Sequence, residues 1–208
     1  MIYNFENFLN EGKYDYDISL ISKKFINKLK SKFGKKFLFK LDYDPNDYNI
    51  IDVKFKVTPS ETLGVNFEID ALSDIETINI KIIYNPKYFP ASYNKLLYRL
   101  KNILRHEMTH VTQFDLEDRA DILRPKETPS PIEIYSYGGD EYFFQPVEVE
   151  AWVNGFYKES KTRRMMFTEV IDEWLEENNR DFENPENIQN LRKIWIDDFI
   201  KRYGTKYL

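Results

Sequence analysis

The chain contains two histidines, and they stand four residues apart in Arg105-His106-Glu107-Met108-Thr109-His110. Residues 92–116 carry a helical pattern with Ser92 as its N-cap, so both imidazoles fall one turn apart on the same face. Two imidazoles so placed can reach one metal ion, and Glu107 lies beside them where an activated water would sit. Composition alone produces His-Glu-x-x-His from two histidines on the order of once in a thousand chains of this make-up, which sets the motif well above a helix that carries two histidines without a metal. Any fold of this chain must therefore bury a long helix while keeping one of its edges available for chemistry. At about 100° per residue, Leu97, Leu100, Leu104 and Val111 share the apolar arc, with His106 and His110 on the adjoining arc at the edge of a cleft.

A fold of that kind is within the means of the chain. It has 208 residues, 42% hydrophobic and 16% aromatic, enough for one domain with a full core. Charged residues make up 31% and are interspersed rather than blocked. The net charge of −5 argues against nucleic acid as a partner, because phosphate binding needs a basic surface. No apolar run approaches membrane-spanning length, and no basic-then-apolar leader opens the chain, so neither membrane insertion nor secretion by a signal peptide is expected. Cysteine is absent, which suits a reducing compartment and leaves His, Asp and Glu as the ordinary zinc ligands.

Along the chain, residues 1–11 form a short amphipathic piece with Ile2, Phe5, Phe8 and Leu9 at helical spacing, followed by Gly12. Residues 18–33 predict an amphipathic helix built on Ile18, Ile21, Phe25 and Leu29, with lysines on its solvated face and Gly34 at its end. Four strands follow over 36–41, 49–57, 64–69 and 75–84, with a turn at 42–47, and they suggest a mostly antiparallel or mixed sheet. Residues 117–140, with Pro125, Pro129, Pro131, Gly138 and Gly139, read as a long loop that shapes or covers the site. Three helices are expected over 146–158, 165–178 and 187–203. The chain divides into a segment 1–12 and a single α+β domain 13–208.

A catalytic zinc takes three protein ligands and keeps one position open. No third histidine exists, and the residues after His110, Val111-Thr112-Gln113-Phe114-Asp115-Leu116, lack the Gly and His that follow the motif in metzincins. The third ligand should then be a carboxylate from Gln145-Pro146-Val147-Glu148-Val149-Glu150-Ala151-Trp152. Pro146 suits a helix start. Glu148, Ala151, Trp152 and Gly155 share one face, on which two small residues permit close helix approach, while Glu150 points roughly the opposite way. Glu148 is the preferred ligand and Glu150 the fallback. The bland account of Glu148 is a first-turn carboxylate favoured by the helix dipole.

His-Glu-x-x-His on one helix with a glutamate from a later helix resembles the gluzincin group of zinc metallopeptidases, and Glu148-x-x-Ala151 looks like the third-ligand helix of minimal members such as lethal-factor-like toxins. The resemblance covers about residues 75–157. It implies a zincin-like fold, a Zn²⁺ cofactor and a peptide or protein substrate, with the strand before the active helix, residues 75–84, as the edge that pairs with extended substrate. The Asn before the ligand glutamate and the catalytic histidine of thermolysin-like members do not occur here. In such a site Glu107 acts as general base, and with no spare histidine a tyrosine is the natural supplier of the second oxyanion donor. Tyr142 is favoured over Tyr135 and Tyr137, while Gln113 and Asp115 are candidates for orienting a histidine. Residues 1–11 look like the capsid-targeting segments of internal head proteins in T-even-like bacteriophages, which are cut after a Leu/Ile-x-Glu tripeptide; Leu9-Asn10-Glu11 fits. That resemblance implies a location in the host cytoplasm or the virion and an association with the capsid. It also raises an alternative: a virion protein with a zincin core that binds zinc without proteolysis.

Overall fold

The computed structural model describes residues 3–43, 51–74, 76–120, 139–179, 182 and 184–208; of residues 3–16, 43, 90 and 114–120 it describes the backbone only. A turn was expected at 42–47, but its first two residues continue a strand; residues 44–47, most of the loop 117–140, and the side chains of the tripeptide Leu9-Asn10-Glu11 lie outside what is described. The chain is α+β and forms two compact units, Met1–Val111 and Thr112–Leu208. The division falls inside one continuous helix.

The first unit opens with α1, Tyr3–Ser31. Two helical pieces separated at Gly12 were expected; the backbone instead runs as one helix through Gly12. An interior glycine costs about 1 kcal/mol against alanine, which a long helix can absorb. The helix does end where the glycine signal predicts, because Gly34 takes φ +75°, a conformation that side chains resist. Its N–H donates to the Tyr84 hydroxyl at 2.6 Å.

The sheet comprises β1 Phe37–Tyr43, β2 Ile51–Pro59, β3 Phe67–Ser73 and β4 Thr77–Tyr84. Each strand lies within a few residues of its expected span, since period-2 alternation sends one set of side chains to the core. On the core face stand Val53, Phe55 and Val57 of β2 and Ile78, Ile80 and Ile82 of β4, packed with Ile18, Ile21, Phe25 and Leu29 of α1. Phe25 stacks on Phe55 with ring centroids 4.4 Å apart. Lys40, Asp52 and Lys54 alternate onto the other face, where they pair with one another. The strand order is β1-β2-β4-β3, with β2 and β4 parallel and the outer pairs antiparallel, so the sheet is mixed. Between β3 and β4, the Asp74 carboxylate accepts from the backbone N–H groups of Glu76 and Thr77.

That order overturns one expectation. The strand at 75–84 was to offer a free edge to substrate, but β4 is interior and hydrogen-bonded on both sides. Pattern alone could not reveal this, because alternation records which face is buried and not which neighbour a strand takes.

A 3₁₀ turn, Phe89–Ser92, leads into α2, Tyr93–Ala120. The helix packs Leu96, Leu100, Leu104, Met108 and Val111 into the first core. Leu96 rather than Leu97 begins this stripe; Leu97 is only half-buried.

The second unit holds a 3₁₀ turn, Gly139–Phe144, then α3 Pro146–Arg163, α4 Phe167–Glu177 and α5 Pro185–Tyr203. Its core is aromatic: Phe156, Phe167, Trp195 and Phe199 are fully buried, and Phe167 stacks on Phe199 with centroids 4.0 Å apart. Each helix start has a local cause. Pro146 and Pro185 occupy first-turn positions, the Asn184 side chain accepts from the Glu186 N–H, and the Glu169 carboxylate accepts from the Met166 N–H. No helix among the described residues is long and apolar enough to cross a membrane.

The phase of α2 is testable. Leu100→Ala should cost about 2–5 kcal/mol of unfolding free energy and Leu97→Ala distinctly less, measured by denaturant titration. Equal costs would mean the buried stripe is misplaced.

Candidate metal centre

Six consecutive residues of α2, from His106 to Val111, are all buried, so the helix is enclosed on every side at this point. A cleft-edge position was expected for the histidines; they are instead 5% and 6% exposed. Polar groups buried to that degree need partners or a ligand, because an unsatisfied buried polar group costs on the order of 1–3 kcal/mol. The helix supplies one such partner locally, since the Thr109 hydroxyl donates to the Arg105 carbonyl at 2.9 Å.

The two imidazoles converge. Their Nε2 atoms lie 3.0 Å apart, with ring centroids 4.7 Å apart and planes at 81°. Two zinc–nitrogen bonds of about 2.0–2.1 Å at a tetrahedral angle would hold their nitrogens about 3.3 Å apart. The observed separation is thus close to what joint ligation of one ion requires, and it is equally within reach of a hydrogen bond between neutral rings. Burial, and secondarily the nearby His110, push the His106 pKa well below the usual histidine value. A neutral ring keeps its lone pair, which ligation needs.

Glu148, in the first turn of α3, is 1% exposed. Among the described residues, His106, His110 and Glu148 form the one group of three metal-ligating side chains, each offering a ligand atom, with all three atoms within 4.8 Å of one another. Ala151 and Gly155, on the same face of α3, are buried too. Glu150, the fallback ligand, is otherwise engaged: one carboxylate oxygen accepts from Arg202 Nη1 at 2.7 Å and the other from Gln113 Nε2 at 3.1 Å.

Gln113, a candidate for orienting a histidine, donates from its amide nitrogen to Glu150 and to the Val147 carbonyl at 3.2 Å. Glu107 is buried at 6% exposure on the histidine turn. Tyr142 lies in the 3₁₀ turn before α3, half-buried and edge-on to Phe143 with ring centroids 5.3 Å apart. Tyr135, Tyr137 and the side chain of Asp115 fall outside the described residues. Arg202 was missed from sequence, although its i,i+4 pairing with Asp198 on α5 is a readable signal.

Compared with known proteins, the chain matches no family model, no curated protein and no solved structure. What the site can do must therefore be argued from its own residues.

The His106 shift has a measurable consequence. Between its lowered folded value and about 6.5, the unfolded chain binds a proton that the folded chain refuses, so stability rises with pH in that window and falls as the solution is acidified. For metal-free protein, unfolding free energy should fall below pH 6.5 with a slope of up to about 1.4 kcal/mol per pH unit from this group. His106→Gln should flatten the slope in urea titrations at pH 7, 6 and 5; an unchanged slope would show that His106 is not held neutral.

Proposed function

We propose that this chain is a zinc-dependent peptide-bond hydrolase of gluzincin-like type, in which His106, His110 and Glu148 hold the ion and Glu107 is the general base. The observation that carries the reading is the grouping of the three buried ligand atoms within 4.8 Å of one another, in a chain whose two histidines both belong to that group. The donor set suits the ion. Two neutral imidazoles and one carboxylate leave a divalent cation with net positive charge, and three protein ligands are the number found at catalytic rather than structural zinc sites.

Zinc bound there would supply Lewis acidity toward a carbonyl oxygen and lower the pKa of a water to about 7. The protein residues do the rest. His106, kept neutral by burial, offers a lone pair at neutral pH. Glu107 takes a proton from the attacking water and delivers it to the leaving amine, a role typically worth 10²–10⁴-fold in rate. Tyr142 is the proposed second donor to the developing oxyanion, a task for which the chain has no spare histidine. The substrate class is a peptide or protein.

Purified protein should take up zinc at one ion per chain and cleave an unstructured protein such as casein or members of a peptide library. Glu107→Gln should lower cleavage by about 10²–10⁴-fold while zinc content stays at one per chain. Glu148→Gln should lose zinc and Glu150→Gln should keep more of it; the reverse would reassign the third ligand. Zinc uptake without cleavage of any substrate would favour the non-proteolytic virion protein instead, and no zinc uptake at all would end both readings.

A further inference from the structure

We infer that Gln113, Glu150 and Arg202 are positioning residues that set the rotation of the first turn of α3, and with it the direction in which Glu148 presents its carboxylate. This rests on the metal-site reading above and goes beyond it by assigning a role to side chains that touch neither ion nor substrate.

Gln113 follows His110 by three residues on α2, so the two share a face of that helix. Its amide nitrogen donates to the Val147 carbonyl at 3.2 Å and to Glu150 Oε2 at 3.1 Å. These acceptors bracket Glu148 in sequence, one residue before it and two residues after. A helix turns about 100° per residue, so an amide that holds positions 147 and 150 together admits one rotation of the intervening turn. The start of α3 lacks the usual side-chain device: its N-cap residue Gln145 makes no side-chain capping bond, and Pro146 fixes the backbone of the first turn without supplying one.

Arg202 completes the arrangement from α5. Its Nη1 donates to Glu150 Oε1 at 2.7 Å, and its Nε is paired with Asp198 one turn earlier on the same helix. Both Glu150 oxygens are therefore occupied by donors, and its charge is matched by a guanidinium that Asp198 holds in place. The arrangement gives the two glutamates of Glu148-Val149-Glu150 separate tasks: Glu150 is held by Gln113 and Arg202, and Glu148 is the proposed ligand. The Glu150 and Arg202 side chains are 34% and 27% exposed, so as an ion pair alone they would add little to stability. A geometric role accounts for them better.

The test measures zinc affinity of the full chain by competition with a chromophoric chelator, with the melting temperature of metal-free protein as a check on folding. Gln113→Leu keeps the size of the side chain and removes its donors; zinc affinity should fall by about 10–100-fold, the usual effect of losing a partner behind a metal ligand. Gln113→Lys restores a donor and should recover most of that loss, which a packing role would not do. Glu150→Ala should weaken zinc comparably. Asp172→Asn, which breaks an exposed Asp172–Arg192 pair elsewhere in the same unit, should leave it unchanged. Wild-type affinity in Gln113→Leu, or equal weakening by Leu and Lys, would overturn the proposal; if Gln113→Leu does not fold, wild-type affinity in Glu150→Ala would do the same. A wild-type chain that takes no zinc would sink the metal-site reading itself, a failure distinct from zinc binding that ignores these variants.

Discussion

Burial of two imidazoles on one turn of α2 is the constraint from which the rest of the structure follows. A charged histidine removed from water is costly, and burial holds the His106 pKa well below the usual histidine value, so that ring is enclosed as a neutral base. Two rings with Nε2 atoms 3.0 Å apart can share a proton or a cation. Either way they need a rigid helix beneath them. Leu96, Leu100, Leu104, Met108 and Val111 supply it by anchoring α2 along most of its length in the first core.

The two cores are built differently. The first is a sheet face lined by Val, Ile and Phe and closed by helix stripes of leucine and isoleucine, so its shape is set by the pleat of the strands. The second has no strand among its described residues and relies on large rings, Trp152, Trp174 and Trp195 among them, whose mutual contacts fill the space between three helices. Alternating β-branched residues therefore belong to one half of the chain and tryptophans to the other. Charged groups are buried along α3 as well, and Glu159 is paired there with Arg163 one turn on.

Much of this was legible from sequence, for reasons that also mark its limits. The alternation in β2 and β4 was plain because one face of each strand is buried and the other is solvated. Their parallel pairing was not, since it is a contact between segments separated by a third strand. The run of α1 through Gly12 was hidden because a glycine breaks a helix only when something else favours the break. At Leu96 and Leu97 two adjacent leucines sit 100° apart, and only tertiary packing decides which faces inward. The helix α3 outruns its expected end at 158 because it stops at Arg164 in a left-handed conformation, a cap that sequence reading looks for in glycine. At the candidate centre, the histidine pair and the small-residue face of α3 could be read directly. The Glu150–Arg202 pairing could not, because 52 positions separate its partners.

The interior position of β4 bears on how the chain is made. As synthesis proceeds from the N-terminus, β1 and β2 can pair as soon as both have emerged, yet the far edge of β2 stays open until β4 arrives. β3 precedes β4 in the chain yet lies outside it, so the chain passes over the position next to β2 before filling it. Until then a strand carrying Val53, Phe55 and Val57 presents unpaired backbone groups, the kind of edge that recruits other chains. The Asp74 turn, whose carboxylate accepts from the N–H groups of Glu76 and Thr77, joins β3 to β4 locally, so the strand that closes this edge brings its own outer neighbour with it.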